Sequence, residues 1–488
     1  MDERRTGNGT PRFIFPDGEL EMAVALGDLT DRSVRVWGRL PAGTSEASLS
    51  VDGVEVARGE VRPDSQRDHV AAAVLEVDPP RPGASFTVTL AEKSLRARFA
   101  PAPTDRARLR FAFGSCHQPF GQAGDDGRLQ KHAGARIYPR IGRLFEEREA
   151  AFALWLGDQV YSDGIAELGV RERMAADPLV TDADLLATYR HLYRGYFNET
   201  GYRKLAEGVP AYLMWDDHDI FDGWGSLLDK KPFDDRLFRA ADGAFREYQH
   251  LRNPGATLDA GGPHGYSFWH GDVGFHVADL RSERDYHAGR VLGDAGWSRL
   301  DGFLAEAAER GVPTIFVGLS VPMVHASPTL MRALQGLRAS SGRDVRDRWS
   351  VAAFAAERSK LLERLFTWQT GGRHRQVIVL SGDVHVGAAF TLRPRHGRGR
   401  LAQWTSSALS TPDGLRHVVV NHLITAFVRL GEGELRVRRH GLATSNNVGL
   451  VEVEPADGGG HHCRLTIYEY DARSDQLRPG LLAMSSPD

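Results

Sequence analysis

The sequence is poor in cysteine and has no long apolar run. Two cysteines, Cys116 and Cys463, are too few among 488 residues for a disulfide framework. No segment approaches the roughly 20 consecutive apolar residues of a membrane-spanning helix. The arginine pair Arg4-Arg5 is not followed by the apolar stretch of about 7–15 residues that a secretory or twin-arginine signal requires. The sequence therefore predicts a cytoplasmic chain, or a secreted one if a leader was removed.

The chain also lacks a strong excess of either charge. There are 61 Lys and Arg residues against 64 Asp and Glu residues, and the net charge is −3. No overall basic field is present to attract nucleic acid or an anionic membrane. The hydrophobic fraction of 41% is typical of a globular protein, and there are no repeats. We therefore expect a small-molecule substrate and no specific nucleic-acid partner, while the sequence leaves the oligomeric state open.

The first hundred residues have the pattern of a small β domain. Val34 and Val36 alternate with arginines, and the Asp52-Gly53 dipeptide between two apolar runs is a strong hairpin signal. Short strands at this spacing predict a β-sandwich of the immunoglobulin or fibronectin kind. A Pro-containing linker ends at Pro103. We therefore divide the chain into residues 1–103 and a catalytic domain of residues 104–488.

The second part has the pattern of an α/β fold. An apolar strand at 109–114, a helix at about 135–149 and a strand at 151–156 form a βαβ unit, which implies a parallel, covered sheet. We predict a helical insertion at about 165–206, close to the site, and a C-terminal β-hairpin. The other predicted strands are 210–215, 275–280, 314–319, 376–380, 448–453 and 463–468.

Four polar clusters follow predicted strands at their carboxyl ends. They are Cys116, Asp158 to Tyr161, Asp216 to Asp219, and Asp383 to His385. Ligands of open α/β sheets bind beyond these strand ends, so the four clusters are expected to converge. Taken singly, each has an ordinary structural explanation, such as a turn, a helix cap or a buried thiol. Taken together, a thiol, carboxylates, a phenol and imidazoles predict a metal site.

Such a site supports hydrolysis of phosphate esters. Two metals about 3.5–4 Å apart can clamp the attacking and leaving oxygens of a displacement at phosphorus. Asp158 is the best candidate for a bridging carboxylate, and His218 for the acid that protonates the leaving alkoxide. The arginine-rich loop at 393–400 has the pattern of a solvated hairpin, and the alternative is a loop that attracts anionic substrates.

The ordered motifs resemble the PhoD-like branch of the calcineurin-type metallophosphoesterases. They are Ser-Cys ending at 116, Gly-Asp-x-x-Tyr at 157–161, Trp-Asp-Asp-His at 215–218 and Ser-Gly-Asp-x-His at 381–385. The resemblance spans about residues 20 to 470. It implies a four-layer α/β/β/α sandwich preceded by a small all-β domain.

The resemblance also implies ligands and a reaction. Cys116, Asp158, Tyr161 and His385 would hold Fe³⁺, and Asp158 would bridge to a Ca²⁺ site completed by Asp217 and Asp383, with other divalent metals possible. Arg281 would contact a phosphate oxygen, unless it forms a structural ion pair with Asp279 or Asp285. The expected enzyme is an alkaline phosphatase or phosphodiesterase. The alternatives are a phospholipase D-like diesterase and a catalytically silent binding protein of the same fold.

Overall fold

The computed structural model describes residues 13–43, 45–121, 128–163, 169–259, 261–325, 346–412 and 435–487. The α-helices are α1 (Tyr138–Arg148), α2 (Val170–Ala175), α3 (Asp182–Phe197), α4 (Thr200–Gly208), α5 (Pro232–Tyr248), α6 (Gly293–Glu309) and α7 (Ala355–Thr370). Among the residues described, no helix combines the length and the apolar character that crossing a membrane requires.

The strands fall into four sheets. The first seven are β1 (Ala23–Leu29), β2 (Ser33–Arg39), β3 (Ser45–Val51), β4 (Val54–Val61), β5 (Val70–Glu76), β6 (Ser85–Leu90) and β7 (Lys93–Arg98). The others are β8 (Leu109–Gly114), β9 (Ala153–Leu156), β10 (Ala211–Met214), β11 (Tyr266–His270), β12 (Val273–Val277), β13 (Thr314–Leu319), β14 (Gln376–Ser381), β15 (Gly387–Pro394), β16 (Leu401–Thr405), β17 (Leu435–Ala443), β18 (Asn447–Pro455), β19 (His461–Asp471) and β20 (Gln476–Ser485).

The N-terminal strands form two small antiparallel sheets, in the orders β1-β2-β5 and β4-β3-β6-β7. Their inner faces share a core that includes Val36, Leu49 and Val88. Asp52 and Gly53 have φ values of 51° and 79°, the left-handed geometry of the tight turn that the sequence predicts between β3 and β4. The expected all-β unit is therefore present, and the predicted boundary at residue 103 lies between β7 and β8.

Two larger sheets stack face to face. Their orders are β10-β9-β8-β18-β19-β20 and β11-β12-β13-β14-β16-β15-β17. Phe111 of the first lies edge-on against Phe275 and Phe316 of the second, at centroid distances of 5.3 and 5.1 Å. Helices α6 and α7 share a core with the seven-stranded sheet, and α1 and α4 lie on the six-stranded side. This confirms the predicted four-layer α/β/β/α arrangement.

The predicted C-terminal hairpin is present as β18 and β19, and a third strand, β20, extends it. Three antiparallel strands, β18, β19 and β20, enter the six-stranded sheet, and β18 pairs with β8 at its centre. Sequence analysis missed β20 because Pro479 and Gly480 interrupt its alternation. The predicted insertion contains α2, α3 and α4, while its residues 165–168 lie outside the described chain.

The N-terminal sheets pack directly on the catalytic part. Trp37 Nε1 donates to the carbonyl of Glu247 at 2.8 Å, and the Leu29 amide donates to Tyr212 Oη at 3.1 Å. At Gly27 the two parts approach so closely that a Cβ atom would lie 2.1 Å from the Arg252 carbonyl oxygen. The position therefore requires glycine.

Replacing Gly27 is expected to loosen this junction. Gly27→Ala should lower the free energy of unfolding by about 2 kcal/mol, because one backbone must move away from the other. Urea denaturation measures the change. The matched control is Gly142→Ala within α1, where an added Cβ meets nothing within 4 Å and helix propensity predicts a gain of about 0.5–1 kcal/mol. Equal stability of Gly27→Ala and the parent would contradict the close approach.

Candidate metal centre

The predicted site residues follow four strands whose carboxyl ends meet. Cys116 follows β8, Asp158 follows β9 and Asp217 follows β10, and these three strands run parallel in one sheet. Asp383 follows β14 of the other sheet. The Asp383 amide donates to Ser115 Oγ at 3.0 Å, which joins the two sheets at this edge. The structure thus brings together clusters that are far apart in sequence.

The backbone of these loops is strained. Cys116, Asp158, Asp383 and His385 have φ values of 63°, 55°, 67° and 55°, in the left-handed region that L-residues other than glycine seldom occupy. Each such conformation costs on the order of 1–3 kcal/mol and persists where the surrounding structure enforces it. Strain at four candidate ligands is typical of a functional site.

A thiol, a phenol and a carboxylate surround one point. Asp158 Oδ2 lies 3.3 Å from Cys116 Sγ and 3.4 Å from the Tyr161 hydroxyl. Ser407 Oγ lies 3.1 Å from Cys116 Sγ and accepts a hydrogen bond from the His385 amide at 2.9 Å. Burial raises the pKa of the Cys116 thiol and of the Tyr161 phenol. A nearby cation would favour their charged forms.

An acidic cluster adjoins this group. Carboxylate oxygens of Asp158, Asp216, Asp217 and Asp383 lie within 4.8 Å of one another. Burial raises the pKa of Asp158 well above its usual range, and the neighbouring Cys116 and carboxylates add to the effect. Asp216 Oδ2 is buried and has no hydrogen-bond partner among the described residues. Several buried carboxylates so close together repel one another, and bound cations would stabilise them.

Arg281 supplies part of the compensating charge. Its side chain is fully buried, and Nε donates to Asp216. Nη2 donates to Asp217 at 3.2 Å and to Asp347 at 2.7 Å, while Nη1 donates to Asp347 at 2.7 Å and to the Trp224 carbonyl at 3.0 Å. All five guanidinium N–H groups therefore donate hydrogen bonds to other residues of the protein.

The expected partners of Arg281 were wrong. The guanidinium of Arg281 makes no bond to Asp279, which accepts from the Arg281 backbone amide at 2.9 Å, and Asp285 pairs instead with Arg290 at 3.9 Å. In this geometry the Arg281 guanidinium also has no free N–H group for the predicted contact with a substrate phosphate. The side chain reaches carboxylates from three other segments because the strand ends converge, which sequence separation does not reveal.

The imidazole ring of His218 is hydrogen-bonded to the carboxylate of Asp163. Its Nδ1 lies 2.7 Å from Asp163 Oδ1, and Asp163 Oδ2 accepts from the Asp222 amide at 2.7 Å. The ring stacks on Tyr161 at 4.3 Å. Burial alone would lower the pKa of His218, but the carboxylates of Asp163 and Asp217 raise it well above its usual range. Asp163 therefore fixes the ring and favours the imidazolium.

Several residues of the site were not predicted. Asp163 lies five positions after Asp158 and offered a signal as a carboxylate close to a strand end, whereas Asp216 is part of the predicted cluster at 216–219 but was not named as a ligand. Asp347 offered none, because it follows no predicted strand. It reaches the site from residues 346–350 and accepts hydrogen bonds from Arg281 and from Ser226 Oγ at 2.7 Å.

The PhoD-like phosphatase family model matches residues 111–312. This segment is therefore similar to the PhoD-like phosphatases. The matched segment contains Cys116, Asp158, Tyr161, Asp217 and His218. Beyond it, Asp383 joins the acidic cluster, and the amide of His385 bonds Ser407 beside Cys116. The match to a family model of phosphatases supports hydrolysis of phosphoric esters.

Two solved phosphatase structures share the fold of this chain. The structure of PhoD matches with a TM-score of 0.66 and 17% identity, covering 95% of this chain and 88% of that one. Purple acid phosphatase PPD1 from seeds of yellow lupin (Lupinus luteus) matches with a TM-score of 0.57 and 11% identity, covering 98% of this chain and 76% of that one. No curated protein sequence matches the chain significantly.

Proposed function

We propose that the chain hydrolyses small-molecule phosphate esters with two cations bound at the strand ends. Cys116, Asp158, Tyr161 and His385 would hold Fe³⁺, and Asp158, Asp217 and Asp383 would hold Ca²⁺ or another divalent ion. The position of Asp158 carries this proposal. One of its oxygens contacts both the thiol and the phenol, and the same carboxylate belongs to the acidic cluster.

The donor set fits two different cations. Thiolate and phenolate ligands suit a ferric ion, whereas a cluster of carboxylates suits Ca²⁺, which takes only oxygen ligands. The buried Asp216 Oδ2, which has no partner among the described residues, supports a positive charge nearby. Arg281 and Arg348 already bond Asp216 and Asp383, so the described cluster is only partly compensated.

The residues of the site divide the work of hydrolysis. The cations, when bound, lower the pKa of water from about 15.7 to roughly 7 and offset charge on the phosphoryl oxygens. His218 then protonates the leaving alkoxide, and Asp163 keeps its ring oriented and charged. Arg281 holds the carboxylates of Asp216 and Asp217 in position through its buried hydrogen bonds.

Neutralising Asp163, the carboxylate bonded to His218, should slow esters with a poor leaving group more than esters with a good one. We expect Asp163→Asn to lower kcat for an alkyl phosphate about 100-fold, because His218 loses its orientation and its charge. A nitrophenyl phosphate should lose far less, since its leaving group needs no proton. Steady-state kinetics on both esters measures the difference. Asp229→Asn, an exposed change, is the control. Equal losses on both esters would contradict the acid role of His218.

The proposed reaction is tested with a chromogenic phosphate monoester beside the matching diester, with Ca²⁺ and with a chelator. Turnover that the chelator abolishes supports the proposal, and the faster ester assigns the substrate class. If protein shown to hold iron and calcium turns over neither ester, the proposal fails and a catalytically silent binding role takes its place.

A further inference from the structure

Arginines gather at one end of the seven-stranded sheet. Three segments, 371–375, 393–400 and 435–440, contain nine arginines and no Asp or Glu, in a chain whose net charge is −3. We call these three segments the basic end. It includes the arginine-rich loop seen in the sequence, but most of its charge comes from the two other segments.

The fold places these segments side by side. Arg393 on β15 lies directly opposite Arg436 on β17, and Thr391 lies opposite Arg438. The Arg400 amide donates to Gln369 Oε1 at 2.8 Å, and Gln369 Nε2 donates back to the Arg400 carbonyl at 2.8 Å. Gln369 is near the end of α7, immediately before 371–375. The basic end is therefore one continuous surface.

Much of this charge has no counter-charge bonded to it among the residues that the structure describes. Six of the arginine side chains are exposed, and none of them makes an ion pair or hydrogen bond with a residue that the structure describes. They are Arg373, Arg393, Arg395, Arg398, Arg436 and Arg438. Like charges directly opposite on paired strands destabilise a sheet, so the Arg393 and Arg436 pair has a cost. Such a concentrated positive field attracts an anionic partner.

We propose that the basic end docks on an anionic lipid bilayer. Clusters of four to eight Lys or Arg residues bind acidic lipid head groups, and nearby apolar side chains add insertion into the interface. Leu482 and Met484 on β20 are 64% and 68% exposed. Their strand leads to Ser486, whose carbonyl oxygen accepts a hydrogen bond from the Arg400 side chain.

A bilayer fits these observations better than nucleic acid does. Proteins that bind single strands stack bases on aromatic side chains. Among the described residues, the exposed large hydrophobic side chains are all aliphatic or Met: Ile14, Val54, Val74, Leu179, Leu228, Leu482 and Met484. The basic end therefore offers charge without an exposed aromatic ring among the described residues, and β20 adds two exposed apolar side chains.

The docking surface lies away from the candidate metal centre. His385 precedes β15, which runs from Gly387 to Pro394 and so separates the two by roughly 26 Å at about 3.3 Å per residue. A bilayer bound at the basic end would leave the site open to solvent. Docking is thus independent of the proposed hydrolysis, and lipids of the same bilayer would not be its substrate.

Vesicle sedimentation with the full chain tests the proposal. We expect binding to phosphatidylcholine vesicles that contain phosphatidylglycerol, none to phosphatidylcholine alone, and release by high salt. The variant Arg393→Gln, Arg436→Gln, Arg438→Gln should weaken binding about 100-fold, at roughly fivefold per arginine. At intermediate salt, where part of the parent's vesicle binding persists, the double variant Leu482→Ser, Met484→Ser should bind more weakly than the parent.

A matched variant separates this surface from a general loss of charge. Arg32→Gln, Arg62→Gln, Arg81→Gln removes three exposed arginines of the N-terminal sheets and should leave vesicle binding unchanged. Circular dichroism and ester hydrolysis should match the parent in both triple variants. The proposal is overturned if the two triple variants lose binding equally, if neutral vesicles bind as well, or if the chain binds heparin or RNA but no vesicles.

Discussion

Asp158→Asn should abolish metal binding and hydrolysis together, with activity reduced about 1,000-fold or more. The Asp158 carboxylate lies between the thiol and phenol on one side and the acidic cluster on the other. An amide keeps the size of the side chain but removes the bridging charge, so neither cation would keep its shared ligand. No other described residue occupies this position between the two groups.

The same change should make the metal-free protein more stable. Asp158 is buried beside Asp216, Asp217 and Asp383, so removing its charge relieves repulsion, by about 1 kcal/mol. Urea denaturation in the presence of chelator measures the change in the free energy of unfolding. Elemental analysis measures the loss of metal, and ester hydrolysis measures the loss of activity. Asp301→Asn, an exposed change, controls for the chemistry of the substitution. Full activity in Asp158→Asn would refute the two-cation site.

Arg281→Gln should lower the free energy of unfolding by about 3–5 kcal/mol. The guanidinium is fully buried and is bonded to Asp216, Asp217 and Asp347. Glutamine cannot replace its charge or its five donors, so three carboxylates would remain buried with less compensation. An arginine that only contacted substrate would instead raise KM and leave stability unchanged.

A double-mutant cycle makes this test specific. Asp347→Asn combined with Arg281→Gln should destabilise less than the sum of the two changes, because the amide removes one of the carboxylates that Arg281 compensates. Arg290→Gln is the exposed control, and its pair with Asp285 at 3.9 Å predicts a loss below about 1 kcal/mol. Unchanged stability with a raised KM in Arg281→Gln would restore the substrate-binding interpretation.

The sequence predicted the strands of the site well because they are short apolar runs with abrupt polar ends. The strands at 109–114 and 314–319 have the predicted bounds, and Cys116, Asp158, Asp217 and Asp383 follow their strands as expected. Cys116, Asp158 and Asp217 meet because the ends of parallel neighbouring strands lie at one edge of a sheet, whereas Asp383 comes from the second sheet and joins them through sheet packing.

Other features depended on contacts that sequence spacing does not encode. The partners of Arg281 come from strand ends and from Asp347, which follows no strand. β20 was missed because Pro479 and Gly480 break its alternation, and the basic end because its three segments become neighbours only through strand pairing and the end of α7. In each case, a long-range contact gives a residue a role that its local pattern does not indicate.

Anomalous diffraction from crystals of the purified protein tests the two-cation site most directly, with data collected on both sides of the iron absorption edge. The proposal predicts an iron peak within bonding distance of Cys116 Sγ, the Tyr161 oxygen and Asp158. It also predicts a second metal peak that shares Asp158 and contacts Asp217 and Asp383. Metal bound elsewhere, or a single ion that leaves Asp158 uncoordinated, would contradict it.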